Sequence, residues 1–497
     1  MGPNSSWVAT AFLLASIICQ PLYGQLADLL GRRRLMMFAV VIFGVGSAIA
    51  CGANSGPTLI FGRVVQGLGS GGIDLFAELI LCDIIPLKGR GNYVAIKASV
   101  YALGTTVGPV LGGYFSERMS WRWCFGINIP VCVVALVMMY FWLQVSSGPT
   151  SIKGQDLADG AVSWQTKISR IDFLGLGILT LSVIFILYGL TCGGASDPWT
   201  APVVLTTLSV GLAGVVAFAF WERSWWCSSP IMAPHVFSNR TTVAAFIITM
   251  IHGFMTYGYQ FYLPPFFQAV LDCSPTQSGV LSLPCTLSIV VFAAVGGPLL
   301  AKFGRYKLMH FFGFGMMAVG FGLSVIWSSG GTIPGWIAFS FFVGIGSGLI
   351  VSTTLPAVLV ELTDKENAAA TGSWAFLRGL GSLLGVAIPN SAFNAVFSTH
   401  LASLPKEAAS QLDAGQAYEQ ASSLFVAQYG VGVKNAFADS LKAPWVIFLV
   451  LAGVGILVTC MERQVELRVD IDSDFGLKQK EKRRKSMKEK KLDDELV

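Results

Sequence analysis

A short polar stretch between two long apolar runs decides the fold of this chain, and it reads Gly24-Gln25-Leu26-Ala27-Asp28-Leu29-Leu30-Gly31-Arg32-Arg33-Arg34. Because three arginines and one aspartate are costly inside lipid, we expect them to form a tight, water-facing loop between two membrane spans. Gly24 and Gly31 allow close helix approach and a sharp reversal of the backbone. Short loops rich in basic residues stay on the cytoplasmic side of a membrane, so this stretch also sets the orientation of the chain.

The composition is that of an integral membrane protein. Of 497 residues, 54% are hydrophobic and 12% are charged, and the mean hydropathy is +0.65. Soluble domains carry about 25% charged residues. The ten cysteines lie scattered in apolar runs, without the spacing of a metal site or a disulfide framework. The sequence shows no phosphate-binding loop and no nucleophile constellation, so it predicts neither an enzyme nor a bound cofactor or metal.

Thirteen apolar runs are long enough to cross a bilayer at about 20 residues per helix. They cover 5–24, 35–53, 58–82, 93–115, 124–145, 173–193, 201–221, 241–268, 279–301, 308–328, 333–360, 369–394 and 444–462. Lys and Arg are concentrated in the short loops on the side of the first arginine cluster, which places that side and the C-terminus in the cytoplasm.

These runs predict an all-α membrane protein with the following organisation. It has an N-terminal bundle over 1–145, a cytoplasmic linker over 146–172, two extra helices over 173–221, a C-terminal bundle over 241–462 with an external loop at 396–443, and a charged cytoplasmic tail over 463–497. The mixed-charge tail is expected to be solvated and to touch anionic lipid, with no role in binding nucleic acid.

The second bundle repeats the decisive stretch as Gly297-Pro298-Leu299-Leu300-Ala301-Lys302-Phe303-Gly304-Arg305-Tyr306-Lys307. Gly304 and Arg305 align with Gly31 and Arg32, whereas Ala301 stands in the place of Asp28. In the second copy a full span precedes the helix that enters the loop, and in the first copy no such span exists. The repeat therefore predicts six, two and six helices with the first one missing, so that Met1 would be a truncated or misassigned start. The alternative is a genuine protein of thirteen spans.

Polar residues line one face of the third span. Arg63, Gln66, Ser70 and Asp74 are spaced so that they fall on one stripe of a helix, with Glu78 at its margin. Ionisable residues inside a span usually face the interior of a bundle or an aqueous cavity. The stripe therefore predicts a buried polar site in the N-terminal bundle.

Two of these stretches resemble signatures of the major facilitator superfamily. The first matches the loop signature of that family at Gly24, Leu26, Asp28, Gly31, Arg32 and Arg33, and Arg63-Val64-Val65-Gln66-Gly67-Leu68-Gly69 resembles its Arg-x-x-Gln-Gly-x-Gly signature. The resemblance implies a gate loop in which Asp83 and Arg90 are charge partners. It also implies that Arg63 assists proton transfer, with Gln66, Asp74 and Glu78 as further coupling candidates. The alternative for Arg63 is a structural arginine that bonds backbone carbonyls.

The fourth span contains Gly104-Thr105-Thr106-Val107-Gly108-Pro109-Val110-Leu111-Gly112-Gly113. Glycines at this spacing favour close packing against another helix, and Pro109 bends the helix. The stretch resembles the antiporter signature of the superfamily at Gly104, Gly108, Pro109, Gly112 and Gly113. Together with the extra helix pair, this resembles the fourteen-helix drug:proton antiporter branch, and fungal efflux pumps for toxins and drugs in particular.

The substrate cavity of such a protein is expected between the two bundles near the middle of the membrane. In the second bundle the candidate cavity residues are His252, Tyr257, Tyr259, Gln260 and Arg378. Arg378 lies well inside its span and so needs a partner or a cavity. His252 could titrate, but a lone histidine in a helix rich in glycine and tyrosine is more often a hydrogen-bonded packing residue.

The resemblance thus implies a monomeric exporter in the plasma membrane. It would exchange protons for small apolar or amphipathic compounds by alternating access, with the proton gradient as its energy source and no cofactor. Two alternatives remain open at this point: an uptake transporter of siderophore type, and a truncated membrane protein that transports nothing.

Overall fold

The computed structural model describes residues 5–85, 119–143, 172–193, 197–227, 230–328, 331–363, 366–401 and 431–465, together with scattered helical positions between 93 and 115. Several predicted features lie outside this part, namely the side chain of Asp28, Arg90, Pro109, Gly113, most of the linker over 146–172 and the tail beyond 465.

The described part of the chain is a succession of membrane-length helices. They are α1 (Ser5–Leu30), α2 (Arg32–Cys51), α3 (Gly56–Ile84), α4 (helical positions between 93 and 115), α5 (Trp123–Trp142), α6 (Phe173–Cys192), α7 (Pro202–Arg223), α8 (Arg240–Ala269), α9 (Pro275–Phe303), α10 (Tyr306–Ile326), α11 (Ile333–Leu359), α12 (Asn367–Leu401) and α13 (Val431–Met461). Eleven of those in the described ranges are long and apolar enough to cross a membrane, and α1 contains a further apolar helix over Ala11–Ala27. The predicted all-α membrane fold is confirmed.

Local sequence signals start several of these helices. Ser55 caps α3 by accepting a hydrogen bond from the Thr58 backbone N–H, and a proline occupies the first turn. Ser274 and Gln277 form a reciprocal capping box at the start of α9. Such caps satisfy backbone donors that have no partner inside the helix.

The decisive stretch is tighter than the loop expected from the sequence. Only Gly31, with φ of 84°, separates α1 from α2, and the arginines form the first turn of α2. That backbone conformation favours glycine, because a side chain there would be strained. The expectation that all three arginines face water is wrong for Arg32, which is buried, whereas Arg34 is exposed.

The predicted repeat is visible in the backbone. Gly304 and Arg305 separate α9 from α10, whereas Gly31 alone separates α1 from α2. A glycine with positive φ therefore stands at the aligned position of each bundle, although ψ differs, at 142° for Gly31 and 9° for Gly304. The two bundles, α1–α5 and α8–α13, are accordingly called the N-terminal and C-terminal halves.

The halves are packed together at the end that carries the turns at Gly31 and Gly304. A Cβ atom added to Gly24 on α1 would lie 3.2 Å from the Ala368 carbonyl oxygen and 3.6 Å from the Cα of Gly372 on α12. Around this crossing, apolar side chains from both halves form one buried cluster, which includes Tyr23, Phe76, Trp374 and Val358. The glycines therefore allow the helices to approach closely enough to close this side.

The extra pair α6–α7 lies against the seam between the halves. Leu179, Val183 and Leu187 of α6 share a buried cluster with Ile17 of α1 and Leu383 of α12. The Ser391 hydroxyl on α12 also donates to the Leu190 carbonyl oxygen at 2.6 Å. The pair thus covers the α1–α12 contact from one side.

The outer ends of α12 and α13 extend into the segment predicted as an external loop. α12 continues to Leu401 and α13 begins at Val431, so only the middle of the 396–443 segment is left between them. Phe393 and Phe397 pack against Phe437, with ring centroids 5.6 and 4.9 Å apart. Burial of these rings stabilises the extra helical turns, which the amphipathic composition alone does not reveal.

We predict that Gly24→Ile separates α1 from α12. The added side chain would overfill the crossing, lowering the midpoint of thermal unfolding by about 2–8 °C. Gly453→Ile is the matched control, because no atom of the described residues lies within 4 Å of a Cβ added there. Thermal unfolding followed by size-exclusion chromatography measures both variants. Equal midpoints for the two would contradict the close crossing.

Candidate functional site

Four charged side chains meet where the two halves face each other. Asp74 and Glu78 lie one turn apart on α3, and the Lys97 ammonium on α4 is 2.8 Å from one carboxylate oxygen of each. From the other half, the Arg378 guanidinium on α12 is 2.7 Å from the second Asp74 oxygen. Two cations and two carboxylates thus balance one another inside the membrane-spanning region.

Two aromatic contacts accompany this cluster, which we call the central ion cluster (Asp74, Glu78, Lys97 and Arg378). The hydroxyls of Tyr101 on α4 and Tyr257 on α8 are 2.6 Å apart and form a second polar contact between the halves. The Arg378 guanidinium also lies 4.4 Å from the ring centroid of Trp374 on its own helix. A cation over the face of an indole ring is attracted by the π electrons.

Exposure differs sharply within the cluster. The side chains of Asp74, Lys97 and Arg378 are 30%, 25% and 22% exposed, whereas that of Glu78 is 3% exposed. Asp74 thus joins the two halves through a partly exposed ion pair with Arg378, whereas Glu78 is buried within the N-terminal half.

The sequence analysis selected three of these four residues and missed Lys97. Its signal is present, since a lysine interrupts the apolar run 93–115 at a position where charge is costly. The sequence also left open which residue pairs with Arg378. Asp74 is 304 positions away in the chain, and only the docking of α3 against α12 brings the two together.

Arg63 lies apart from the central ion cluster. Its guanidinium donates to the Val8 carbonyl oxygen at 3.0 Å and to the Gln66 side-chain oxygen at 2.5 Å. The Gln66 amide in turn donates to the Ser47 hydroxyl at 2.9 Å, so this network links α1, α2 and α3. The guanidinium also lies 4.1 Å from the ring centroid of Phe12. The predicted polar stripe of α3 is thus divided into two groups with different partners.

The five predicted cavity residues lie in different environments. Tyr257 and Arg378 face the N-terminal half, as described above. His252 is buried inside the C-terminal half, where its Nε2 lies 2.9 Å from the Ser347 hydroxyl. Tyr259 is fully buried beside Phe321 and Trp445, and Gln260 is partly buried. The expectation that His252 and Tyr259 line the space between the halves is therefore wrong, because both side chains fill the core of one half.

The glycines of the antiporter signature do not form the expected helix crossing in the part of the chain that is described. Gly104 and Gly108 are exposed on α4, and no described atom lies within 4 Å of a Cβ added to Gly104, Gly108 or Gly112. The described residues therefore show no close crossing at these three positions, and the packing of this face of α4 stays a prediction.

Two of the predicted gate residues, Arg32 and Asp83, meet beside the turn at Gly31. The Arg32 Nε is 3.0 Å from an Asp83 carboxylate oxygen, and both side chains are almost fully buried, at 3% and 2% exposure. Arg32 also donates to the Ala27 carbonyl oxygen at 2.8 Å, and Arg33 to the Tyr140 carbonyl oxygen at 2.6 Å. These bonds tie the start of α2 to the ends of α1, α3 and α5.

Two bundles of membrane-length helices that meet at an ion pair define the class of the protein, a multi-pass membrane protein built from two halves. Comparison with known proteins then gives the family. A sequence model of the Major Facilitator Superfamily matches residues 2–386. The chain belongs to the major facilitator superfamily.

Its relatives include fungal transporters that the chain covers over more than four fifths of their length. The chain is 38% identical to the MFS-type efflux transporter ffsH of Aspergillus flavipes over 93% of this chain and 81% of the relative. It is 36% identical to the MFS efflux transporter aclA of Aspergillus oryzae over 97% of this chain and 86% of the relative.

Solved structures support the same fold at lower identity. The human organic anion transporter MFSD10 (TETRAN) aligns with a TM-score of 0.55 and 14% identity, over 90% of this chain and 83% of that one. The proton:xylose symporter XylE aligns with a TM-score of 0.53 and 12% identity, over 91% and 84%. At such identities these matches bear on the fold alone.

We predict that Arg32→Met destabilises the protein strongly, because it removes the cation from a buried ion pair, at a cost of about 3–5 kcal/mol. The double variant Arg32→Met/Asp83→Leu should recover much of that loss, because it replaces both charges by apolar groups. Arg34→Met, at an exposed position, is the control. Thermal unfolding and transport are measured for all three. A double variant that is no more stable than Arg32→Met would show that the pair is not the main contribution of Arg32.

Proposed function

We propose that this chain is a proton-coupled exporter of small apolar or amphipathic compounds, and that Asp74 is its proton acceptor. The observation that carries the proposal is the ion pair of Asp74 with Arg378, 2.7 Å long and partly exposed between the two halves. An ion pair between the two halves is a suitable coupling element, because protonation of its carboxylate changes the free energy of the contact that holds the halves together.

The coupling follows from the charge of Asp74. While Asp74 is ionised, its attraction for Arg378 holds the halves together at their centre, and the apolar cluster around Tyr23 and Trp374 closes the cytoplasmic side. Protonation from outside neutralises Asp74 and removes this attraction, which favours separation of the halves toward the cytoplasm. The proton then leaves into the cytoplasm. When the halves return to the closed arrangement, they carry a bound substrate outward. A proton would thus enter for each substrate exported.

The relatives support efflux over uptake. The two described above are named as efflux transporters, and this chain aligns with each of them over most of its length. Drugs, toxins and secondary metabolites are the substrates that this kinship favours. The plasma membrane is the proposed location, and the monomer is the proposed functional unit. The energy source is the proton gradient, without a cofactor.

We predict that Asp74→Asn abolishes pH-driven transport while downhill exchange continues. The asparagine keeps the shape of the side chain but cannot exchange a proton or pair ionically with Arg378. The assay follows accumulation of rhodamine 6G, and of a panel of uncharged amphipathic probes, in proteoliposomes with an acidic lumen. Asp272→Asn is the matched control, since Asp272 forms an exposed ion pair with Lys434 outside the spans.

The same assay separates the alternatives. Accumulation that requires the opposite pH gradient would favour an uptake transporter of siderophore type. If protein that is folded in detergent transports none of the probes, the result would favour the alternative of a truncated membrane protein that transports nothing. Full pH-driven accumulation by Asp74→Asn would refute Asp74 as the coupling residue.

Arg63 is the competing coupling candidate, and we predict that it acts structurally. Arg63→Gln removes the bond to the Val8 carbonyl and the contact with Phe12, so it should lower thermal stability. Transport that remains should keep its dependence on the pH gradient. If Arg63→Gln instead retains full stability and loses that dependence, proton coupling passes through Arg63.

A further inference from the structure

The asymmetry within the central ion cluster points to a role for Lys97. Its ammonium bridges Asp74 and Glu78 at 2.8 Å each and also lies 3.4 Å from the Asp74 backbone carbonyl oxygen. Arg378, by contrast, contacts Asp74 but has no described ion pair with Glu78. Lys97 therefore contacts both carboxylates, whereas the described ion pair of Arg378 is with Asp74 alone.

Glu78 is the less accessible of the two acids. Its side chain is 3% exposed, compared with 30% for Asp74. A carboxylate that is buried in this way is strongly destabilised when its cation is removed. Glu78 and Lys97 thus form the inner ion pair, whereas Asp74 and Arg378 form the outer pair that joins the halves.

We propose that Lys97 is a positioning residue that keeps Glu78 ionised, so that Asp74 alone exchanges its ionic partner for a proton. This inference deepens the function proposed above and rests on it for its meaning in transport. When Asp74 binds a proton, Lys97 and Glu78 remain a neutral pair, and Arg378 keeps the ring of Trp374 as a contact. A single proton on Asp74 then ends the ionic contact with Arg378 in the other half, while Lys97 keeps Glu78 as an ionic partner.

Removal of the Lys97 charge would change this arrangement. Among the described residues, Glu78 would lose its ion pair and Arg378 would remain on Asp74, and two carboxylates one turn apart with a single cation favour permanent protonation of one of them. A proton that never leaves cannot drive transport. Lys97 thereby supplies the second positive charge that the acid pair requires.

Other titratable and charged groups surround Asp74 from the helices packed against it. They are Glu78 on α3, Lys97 and Tyr101 on α4, Tyr257 and His252 on α8, and Arg378 on α12; His252 lies on the far side of Arg378. Tyr101 and Tyr257 bond each other, and His252 bonds Ser347. Among these groups, only Lys97 contacts both carboxylates.

The test is infrared difference spectroscopy of the complete purified chain in lipid nanodiscs during a pH titration, which needs no substrate. In the unaltered protein, the band of the protonated carboxyl that appears on acidification should vanish in Asp74→Asn and persist in Glu78→Gln. In Lys97→Met, a protonated-carboxyl band should already be present at about pH 8, well above the usual range of carboxyl groups. Lys97→Arg should behave as the unaltered protein does.

The decisive variant is Lys97→Met/Glu78→Gln, which deletes both members of the inner pair. It should lose the band at about pH 8 and regain pH-driven transport, which we expect Lys97→Met alone to lose by about tenfold. A double variant that keeps the band of Lys97→Met, or a Lys97→Met protein whose spectrum is unchanged, would overturn the proposal. Size-exclusion chromatography verifies that each variant is folded.

The two proposals fail in different ways. If the spectra follow the expectation but Asp74→Asn retains pH-driven transport, the positioning role of Lys97 stands and the proposed coupling does not. If the band belongs to Glu78 instead of Asp74, the assignment of Lys97 is wrong, whatever the transport assay gives.

Discussion

Charge inside a bilayer is tolerated only when it is compensated, and this constraint determines the centre of the molecule. Four ionisable side chains from three helices meet there in two pairs of opposite sign. Each would be costly alone in a membrane span. Because one of the partners comes from the opposite half, the compensation depends on how the two halves are docked. The residues whose charge is most costly to place in a membrane span are thus also the ones whose contacts depend on the relative position of the halves.

The cytoplasmic side depends on a different kind of contact. There the halves meet through an apolar cluster and a close helix crossing at Gly24, while the buried pair of Arg32 and Asp83 holds the start of α2. Dispersion and exclusion of lipid stabilise such a crossing without any ionic contribution. Closure of this side and the ionic contact at the centre therefore respond to different influences. In the proposed mechanism, a proton acts directly on the ionic contact and only indirectly on the closure.

Arg63 illustrates the difference between a charged residue that supports the fold and one that can respond to a proton. Its guanidinium is satisfied by a backbone carbonyl, an amide and an aromatic ring, all from the N-terminal half. None of these partners can change its charge. Asp74 has ionic partners on two other helices, one of them in the other half. Membership in a sequence signature does not distinguish these environments, whereas the identity of the contacting atoms does.

The sequence alone was enough to predict the membrane class and the approximate positions of the membrane-length helices, because hydropathy acts locally along the chain. It also identified Asp74, Glu78 and Arg378, since charge in an apolar run is conspicuous without any structure. It did not reveal the role of Lys97, the partner of Arg378, or the burial of Tyr259 within one half. Those features depend on which helix faces which, and that is decided by packing between segments hundreds of residues apart. Only the tertiary structure brings α3, α4 and α12 together, so only it could turn separate costly residues into one central ion cluster.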